Sequence, residues 1–200
     1  MAPGANIVLL TSPVAETEGV QGLPQFLALE KYALQHKLGN IISQSWGATE
    51  NTLFDAAGQQ VINDFEDFYQ QTMNENVTVL AAAGDGGSAN PDVNNNIYPF
   101  PTVNFPASSP FVTSVGGTSE GSPQWAGIIA DANQLAGHPL GFLNPKLYAI
   151  GEEPELFNDI EFGSNASNGV PGFTATRGWD LVTGWGTPDL GTLVWKMAQQ

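Results

Sequence analysis

The alternation of short apolar runs with stretches of helical spacing constrains this chain more than any other feature. Residues 6–13, NIVLLTSP, read as a short buried strand, and Leu23 to Leu38 then carries Phe26, Leu27, Tyr32, Ala33 and Leu34 at helical spacing. Gly39 is expected to end that helix. An apolar strand, IISQSWG from Ile41, a helix over roughly Leu53 to Met73 and a strand VTVLAAAG from Val77 follow. This βαβαβ order predicts an α/β fold, with parallel strands, helices on both faces, and ligands at the carboxyl ends of the strands. A further strand, FVTSVGG, runs through a glycine turn into a helix beginning close to Ser119. Between Gly151 and Asp180 periodicity is lost, and Pro188 to Gln200 reads as helical again. No internal repeat, low-complexity segment or linker divides the chain, so one unit over residues 1–200 is expected.

Composition narrows the functions. Hydrophobic residues at 42% and charged residues at only 12% exclude a disordered, charge-driven chain. Five Lys and Arg against 20 Asp and Glu give a net charge of -15, which repels phosphate backbones and anionic membranes, so neither nucleic acid nor a membrane is an expected partner. At a pH near 4 many of those carboxyls are neutral, which leans toward an acidic setting. The 23 Gly and 14 Pro put much backbone into loops. The absence of Cys removes disulfides, thiolate nucleophiles and Cys-based zinc sites together. No apolar run reaches the length of a membrane span, and the start MAPGANIVLLTSPVA lacks the basic region of a signal peptide.

Three groups of residues could carry chemistry. Gly116, Gly117, Thr118 and Ser119 set a hydroxyl at the mouth of a helix, where N–H groups favour developing negative charge; the same serine is also an ordinary N-cap. GTSEGSP matches the GxSxG elbow of esterases as well, with Asp131 and His138 as the downstream acid and base. Only two histidines exist, His36 and His138, so a nucleophilic Ser119 without imidazole needs a carboxylate as its base, and that implies acidic working conditions. Asp85, in the sharp turn AAGDGG at a strand's end, is the best-placed acid, or else a turn residue bonding its own backbone. Asp159 and Asp180 lie in oxygen-rich loops that suit a hard cation, or again serve as turn formers.

Taken together, APGANIVLL, SQSWGATE, VTVLAAAGDGGS, FPASSPFVTSVGGT, GGTSEGSPQWAG, FLNPKLY, LFNDIEFGSN and GWDLVTGWGTPDL resemble the sedolisins, the serine-carboxyl peptidases with a subtilisin-like fold. The resemblance runs through nearly the whole chain in the family's order. It implies an endopeptidase or tripeptidyl-peptidase that works on peptides in acid, with Ser119 as nucleophile and Asp85 serving the oxyanion. It also implies calcium held by Asp159, the carbonyls of Ile160, Thr176 and Gly178, and Asp180. A secreted monomer is the family expectation.

Two departures accompany it. The family's basic Glu and its supporting Asp lie on a helix just before the APGANI run, where this sequence starts, so both are expected to be missing from it. Glu16 and Glu18 follow that run and are not given the role. One GGT stands where the family has two with a long segment between, so an incomplete fold with exposed apolar surface and unpaired strand edges is expected. A catalytically silent fragment or interaction module of the same fold is therefore the alternative to an active peptidase.

Overall fold

A computed structural model describes residues 2–14, 18–117 and 120–199. The elements in chain order are α1 (Leu23–Gln35), β1 (Ile41–Gln44), β2 (Ala48–Thr49), a 3-10 turn (Glu50–Leu53), α2 (Ala56–Asn74), β3 (Thr78–Ala82), β4 (Asn104–Phe105) and β5 (Thr113–Val115). They continue with α3 (Gly121–Ala136), α4 (Asn144–Ile150), β6 (Phe157–Asn158), β7 (Thr187–Pro188) and α5 (Leu190–Met197).

Local chemistry sets the helix ends. Pro24 opens α1, where a missing N–H is harmless. The helix stops at Gln35, ahead of Gly39, because Lys37 takes a φ of 51° and Leu38 N–H turns back to the Ala33 carbonyl. Asp55 caps α2 by accepting the Gly58 N–H at 2.7 Å. The helix foreseen from Leu53 thus begins at Ala56, after a separate 3-10 turn. Gly137, left-handed at φ 76°, closes α3.

β1, β3 and β5 form a parallel sheet in the order β1-β3-β5, with Ile42 beside Val79 and Ala81 beside Ser114. Strand residues point alternately to opposite faces, and the two faces have different cores. On one, Val79 and Ala81 meet Leu23 and Leu27 of α1 and Phe65, Phe68 and Tyr69 of α2. On the other, α3 lies across all three strands, and its Ile128, Ile129 and Ala132 pack with Leu147 of α4 and Leu193 and Met197 of α5. The α/β fold with helices on both faces is as expected.

The strand expected at residues 6–13 does not form. The segment is irregular, with Ile7 91% and Leu9 82% exposed. An apolar run becomes a strand only where an edge receives it, and composition cannot supply that partner. The Ala2 N–H, bonded at 3.0 Å to the Asp131 carboxylate, ties the start of the segment to α3 instead. β1 and β5 are the edges of the three-stranded sheet, and the exposed apolar side chains include Ile7, Val8 and Leu9 of the unformed strand as well as Phe162.

One buried group went unnoticed in the sequence. Glu30 of α1 is 7% exposed, and neither carboxyl oxygen has a partner among the described residues. Burial pushes its pKa well above the ordinary carboxylate range. Tyr69 is raised too, first by burial and then by the Glu30 charge, although its hydroxyl donates to Gln44 Oε1 at 3.2 Å.

Candidate functional site

The cleft lies at the carboxyl ends of the parallel strands. β3 runs on through Ala83, whose N–H donates to the Val115 carbonyl at 2.8 Å, and Gly84 then forms an antiparallel bridge with Gly117. This bridge sets the Asp85 turn against the strand end that leads into residues 118 and 119. Gly84 has a φ of 100°, and a Cβ there would stand 2.3 Å from Asn104 Nδ2, so this position accepts only glycine. Asn104 Nδ2 donates to the Ala83 carbonyl at 3.1 Å, fastening the turn to β4.

Ser119 and Thr118 lie outside the described residues. Their flanks are close-packed: a Cβ on Gly121, the first residue of α3, would sit 2.0 Å from the Gly116 carbonyl oxygen. Gly116, just past β5, and the first residue of α3 are thus packed against each other on either side of those two residues. At the sheet side of that helix start, the hydroxyls of Ser122 and Ser43 are 2.8 Å apart.

A cavity of about 170 Å³ opens beside the bridge. Glu18 and Asp85 supply its carboxylates, Asn90 and Asn104 its amides, Trp46 an indole, and Gly47, Ala82 and Gly84 its backbone wall. Glu18 accepts the Thr49 N–H on Oε2 at 2.7 Å. Asp85 is exposed, whereas Asn90 is buried and donates to the Thr102 carbonyl at 3.2 Å. Glu18, Trp46, Asn90 and Asn104 were not foreseen here, because they come from four separate segments and no local spacing links them.

The histidines are remote. His138 follows the far end of α3, a 16-residue helix about 24 Å long at ~1.5 Å per residue, and its Nδ1 lies 3.0 Å from the Pro139 carbonyl oxygen. His36 stacks on Tyr32 with ring centroids 3.9 Å apart. Asp131 receives the Ala2 N–H. With the helix length between its base and the serine turn, the esterase arrangement of Ser119, Asp131 and His138 cannot assemble.

The second group of expected residues meets around one loop. Asp159 follows β6 and accepts the Gly178 N–H on Oδ2 at 2.7 Å. Asp180 accepts the Thr176 N–H on Oδ2 at 2.8 Å and those of Val182 and Thr183 on Oδ1 at 2.7 and 2.9 Å. These bonds, led by those from Thr176 and Thr183, hold the Asp180 carboxyl below its usual range. Among the described residues no three His, Asp or Glu side chains cluster as metal ligands. The set is instead two carboxylates that both accept backbone N–H groups of the strip 176–183. Carboxylate oxygen suits a hard cation, which also takes backbone carbonyls.

A parallel sheet clad on both faces, with an aspartate turn bridged to a strand-to-helix turn at its carboxyl ends, defines a subtilisin-like α/β protein. A family model described as the subtilase family matches residues 1–187, and the chain belongs to that family, with the sedolisin type of fold. Tripeptidyl-peptidase sed1 of Aspergillus fumigatus is 45% identical over 86 residues, which is 41% of this chain and 13% of that protein. Kumamolisin of Bacillus sp. strain MN-32 is 36% identical over 121 residues, 60% of this chain and 21% of that one. The chain thus spans about a fifth or less of these relatives' length. The solved structure of Pseudomonas sedolisin, a serine-carboxyl proteinase complexed with two molecules of pseudo-iodotyrostatin, matches its fold with a TM-score of 0.77 at 20% identity, over 90% of this chain and 71% of that one.

Proposed function

We propose that the protein is a serine-type endopeptidase or tripeptidyl-peptidase that cleaves peptides at acidic pH. The observation that carries this reading is the Gly84–Gly117 bridge, which holds the Asp85 turn beside the segment entering Ser119. In this reading the Ser119 hydroxyl attacks the scissile carbonyl, and a C–O bond forms as the proton passes to a carboxylate. Asp85 donates a hydrogen bond to the oxyanion. Collapse of the tetrahedral adduct breaks the C–N bond, the amine leaves with a proton, and water releases the acyl group. The nucleophile and the oxyanion donor are in this sequence. The second reading is a silent fragment or interaction module of the same fold.

Asp159, Asp180 and the carbonyls of Ile160, Thr176 and Gly178 would hold calcium, which when bound would tie the β6 exit to the loop 176–183. Secretion of a monomer, with peptide or protein as its substrate, completes the proposal; among the described residues no helix is long and apolar enough to cross a membrane.

Peptide hydrolysis measured from pH 3 to 8 separates the readings. The peptidase turns over in acid only, and Ser119→Ala lowers kcat on the order of 10⁶-fold; turnover at no pH supports the silent reading. For the metal, removing calcium lowers the melting temperature of the protein but not that of Asp180→Ala, whereas equal melting curves with and without calcium reject the site.

A further inference from the structure

We infer that helix α1 is an acid-dependent latch: with the Glu30 carboxyl protonated it seats against α2 and β1, and with that carboxyl ionised it lifts from them and releases the indole of Trp46. The inference stands apart from the peptidase reading, since it concerns how this part of the fold answers pH whether or not the chain turns over peptides.

Glu30 belongs to the face of α1 that meets the core. Leu27 and Leu34, three residues before it and four after, pack in the cluster that α2 supplies with Phe65, Phe68 and Tyr69, and Glu30 itself is 7% exposed. Neither of its oxygens has a hydrogen-bond partner among the described residues. Tyr69 of α2 is close enough to sense its charge, and the Tyr69 hydroxyl donates to Gln44 Oε1 of β1 at 3.2 Å, which leaves Gln44 Nε2 buried and unpartnered as well. A neutral carboxyl suits such a place better than a carboxylate, which loses its hydration there with nothing to replace it.

No cation on the packed elements offsets that charge. β1, β3 and β4 carry no titratable side chain, and the charged groups of α2 and the 3-10 turn, Asp64, Glu66, Asp67 and Glu50, are all acidic. On α1 itself Tyr32 is exposed, and Lys31 lines the outer seam between α1 and α2 together with Asp64.

The helix that carries Glu30 is held by packing. Gly22 at its start offers no capping side chain, its first turn has no acidic residue and its last turn no basic one. A cavity of about 240 Å³ runs along the seam between Leu27, Ala28 and Lys31 of α1 and Val61 and Asp64 of α2, which brings water within one turn of Glu30. The proton leaves to that water, and separation of the helices rehydrates the carboxylate. Phe26 of α1 stacks on Trp46 with ring centroids 4.8 Å apart, so lifting of the helix frees the indole.

Below the ordinary Glu range the carboxyl is protonated whether α1 is seated or lifted. Above it each lifting releases one proton, so the lifted fraction rises about tenfold per pH unit until the seated helix itself ionises. The test is amide hydrogen exchange from about pH 4 to about pH 7, resolved by segment with mass spectrometry and corrected for the intrinsic pH dependence of exchange. It is run on the protein, on Glu30→Gln and on Glu30→Leu, one isosteric and one apolar replacement, so that the comparison survives if either fails to fold. The α1 amides should lose protection by about tenfold per pH unit while those of α3 keep theirs, and both variants should hold α1 at constant protection. Trp46 emission, taken as the difference from Trp46→Phe, should shift to the red over the same interval in the protein and not in Glu30→Gln. Equal loss of protection in α1 and α3 describes unfolding of the whole chain and overturns the latch, as does an α1 whose protection ignores pH. A pH-dependent loss that persists in the variants overturns the role of Glu30.

Discussion

The two faces of the parallel sheet are built from different materials. On the α3 side the core is aliphatic, with Ile128, Ile129, Leu147, Leu193 and Met197, and the buried hydroxyl of Ser122 meets that of Ser43. On the α1–α2 side the core holds three aromatic rings, Phe65, Phe68 and Tyr69, and α1 buries the Glu30 carboxyl, which like Gln44 Nε2 has no hydrogen-bond partner among the described residues. The first face makes a platform for the helix that begins after Ser119. The second carries a pH-dependent burden in its core. The two faces thus differ in that one of them buries a carboxyl group that burial holds toward its protonated form.

The largest expected effect tests whether the aromatic face holds the fold. Phe65 has no exposed surface and touches Trp46, Tyr69 and Phe105 with ring centroids 5.5 to 5.7 Å away. Phe65→Ala should lower stability by about 3–5 kcal/mol in a denaturant titration. A loss under ~1 kcal/mol would move the main core to the other face.

Next comes the burden itself. The folded pKa of Glu30 lies above its unfolded value, so below the ordinary Glu range both states keep the proton and nothing is lost. As pH rises past that range the unfolded chain releases its proton while the folded chain retains it, and stability falls until the folded pKa is passed. Glu30→Leu should therefore stabilise by roughly 1–3 kcal/mol at pH 7 and by less at pH 3. A gain that does not vary with pH would show that Glu30 acts through shape and not through its charge. Asp180 works in the opposite sense: its carboxyl is held low, so its contribution is present above the ordinary Asp range and fades as pH falls. Melting temperature plotted against pH should pass through a maximum between the two.

The smallest effect is local. Asp55→Ala, which removes the cap of α2, should lower stability by ~1 kcal/mol. No loss would mean that packing of the aromatic face, not the cap, positions the helix start.

Much of the framework was legible because it depends on local pattern: Ile41–Gln44, Thr78–Ala82 and Thr113–Val115 appear as strands where apolar runs meet glycine turns. Residues 6–13 show the limit of that signal, since a strand needs a partner that its own residues do not name. Glu30 could have been found. It stands three residues from Leu27 and four from Leu34, on the apolar stripe of α1, where an acidic residue signals a buried carboxyl. Asp85 was readable as a turn at a strand end, whereas Glu18 enters the cavity only through the Thr49 anchor, a contact across 31 residues.

The measurement that bears most directly on the account is the site of acylation. The protein is treated at pH 4 with the p-nitrophenyl ester of an N-acylated lysine, quenched in acid, digested with pepsin and read by mass spectrometry. A single acyl group on Ser119, absent from Ser119→Ala and accumulating more slowly in Asp85→Ala, is the predicted result. An acyl group on any other residue, or none at all, would contradict a peptidase centred on the turn beside Asp85.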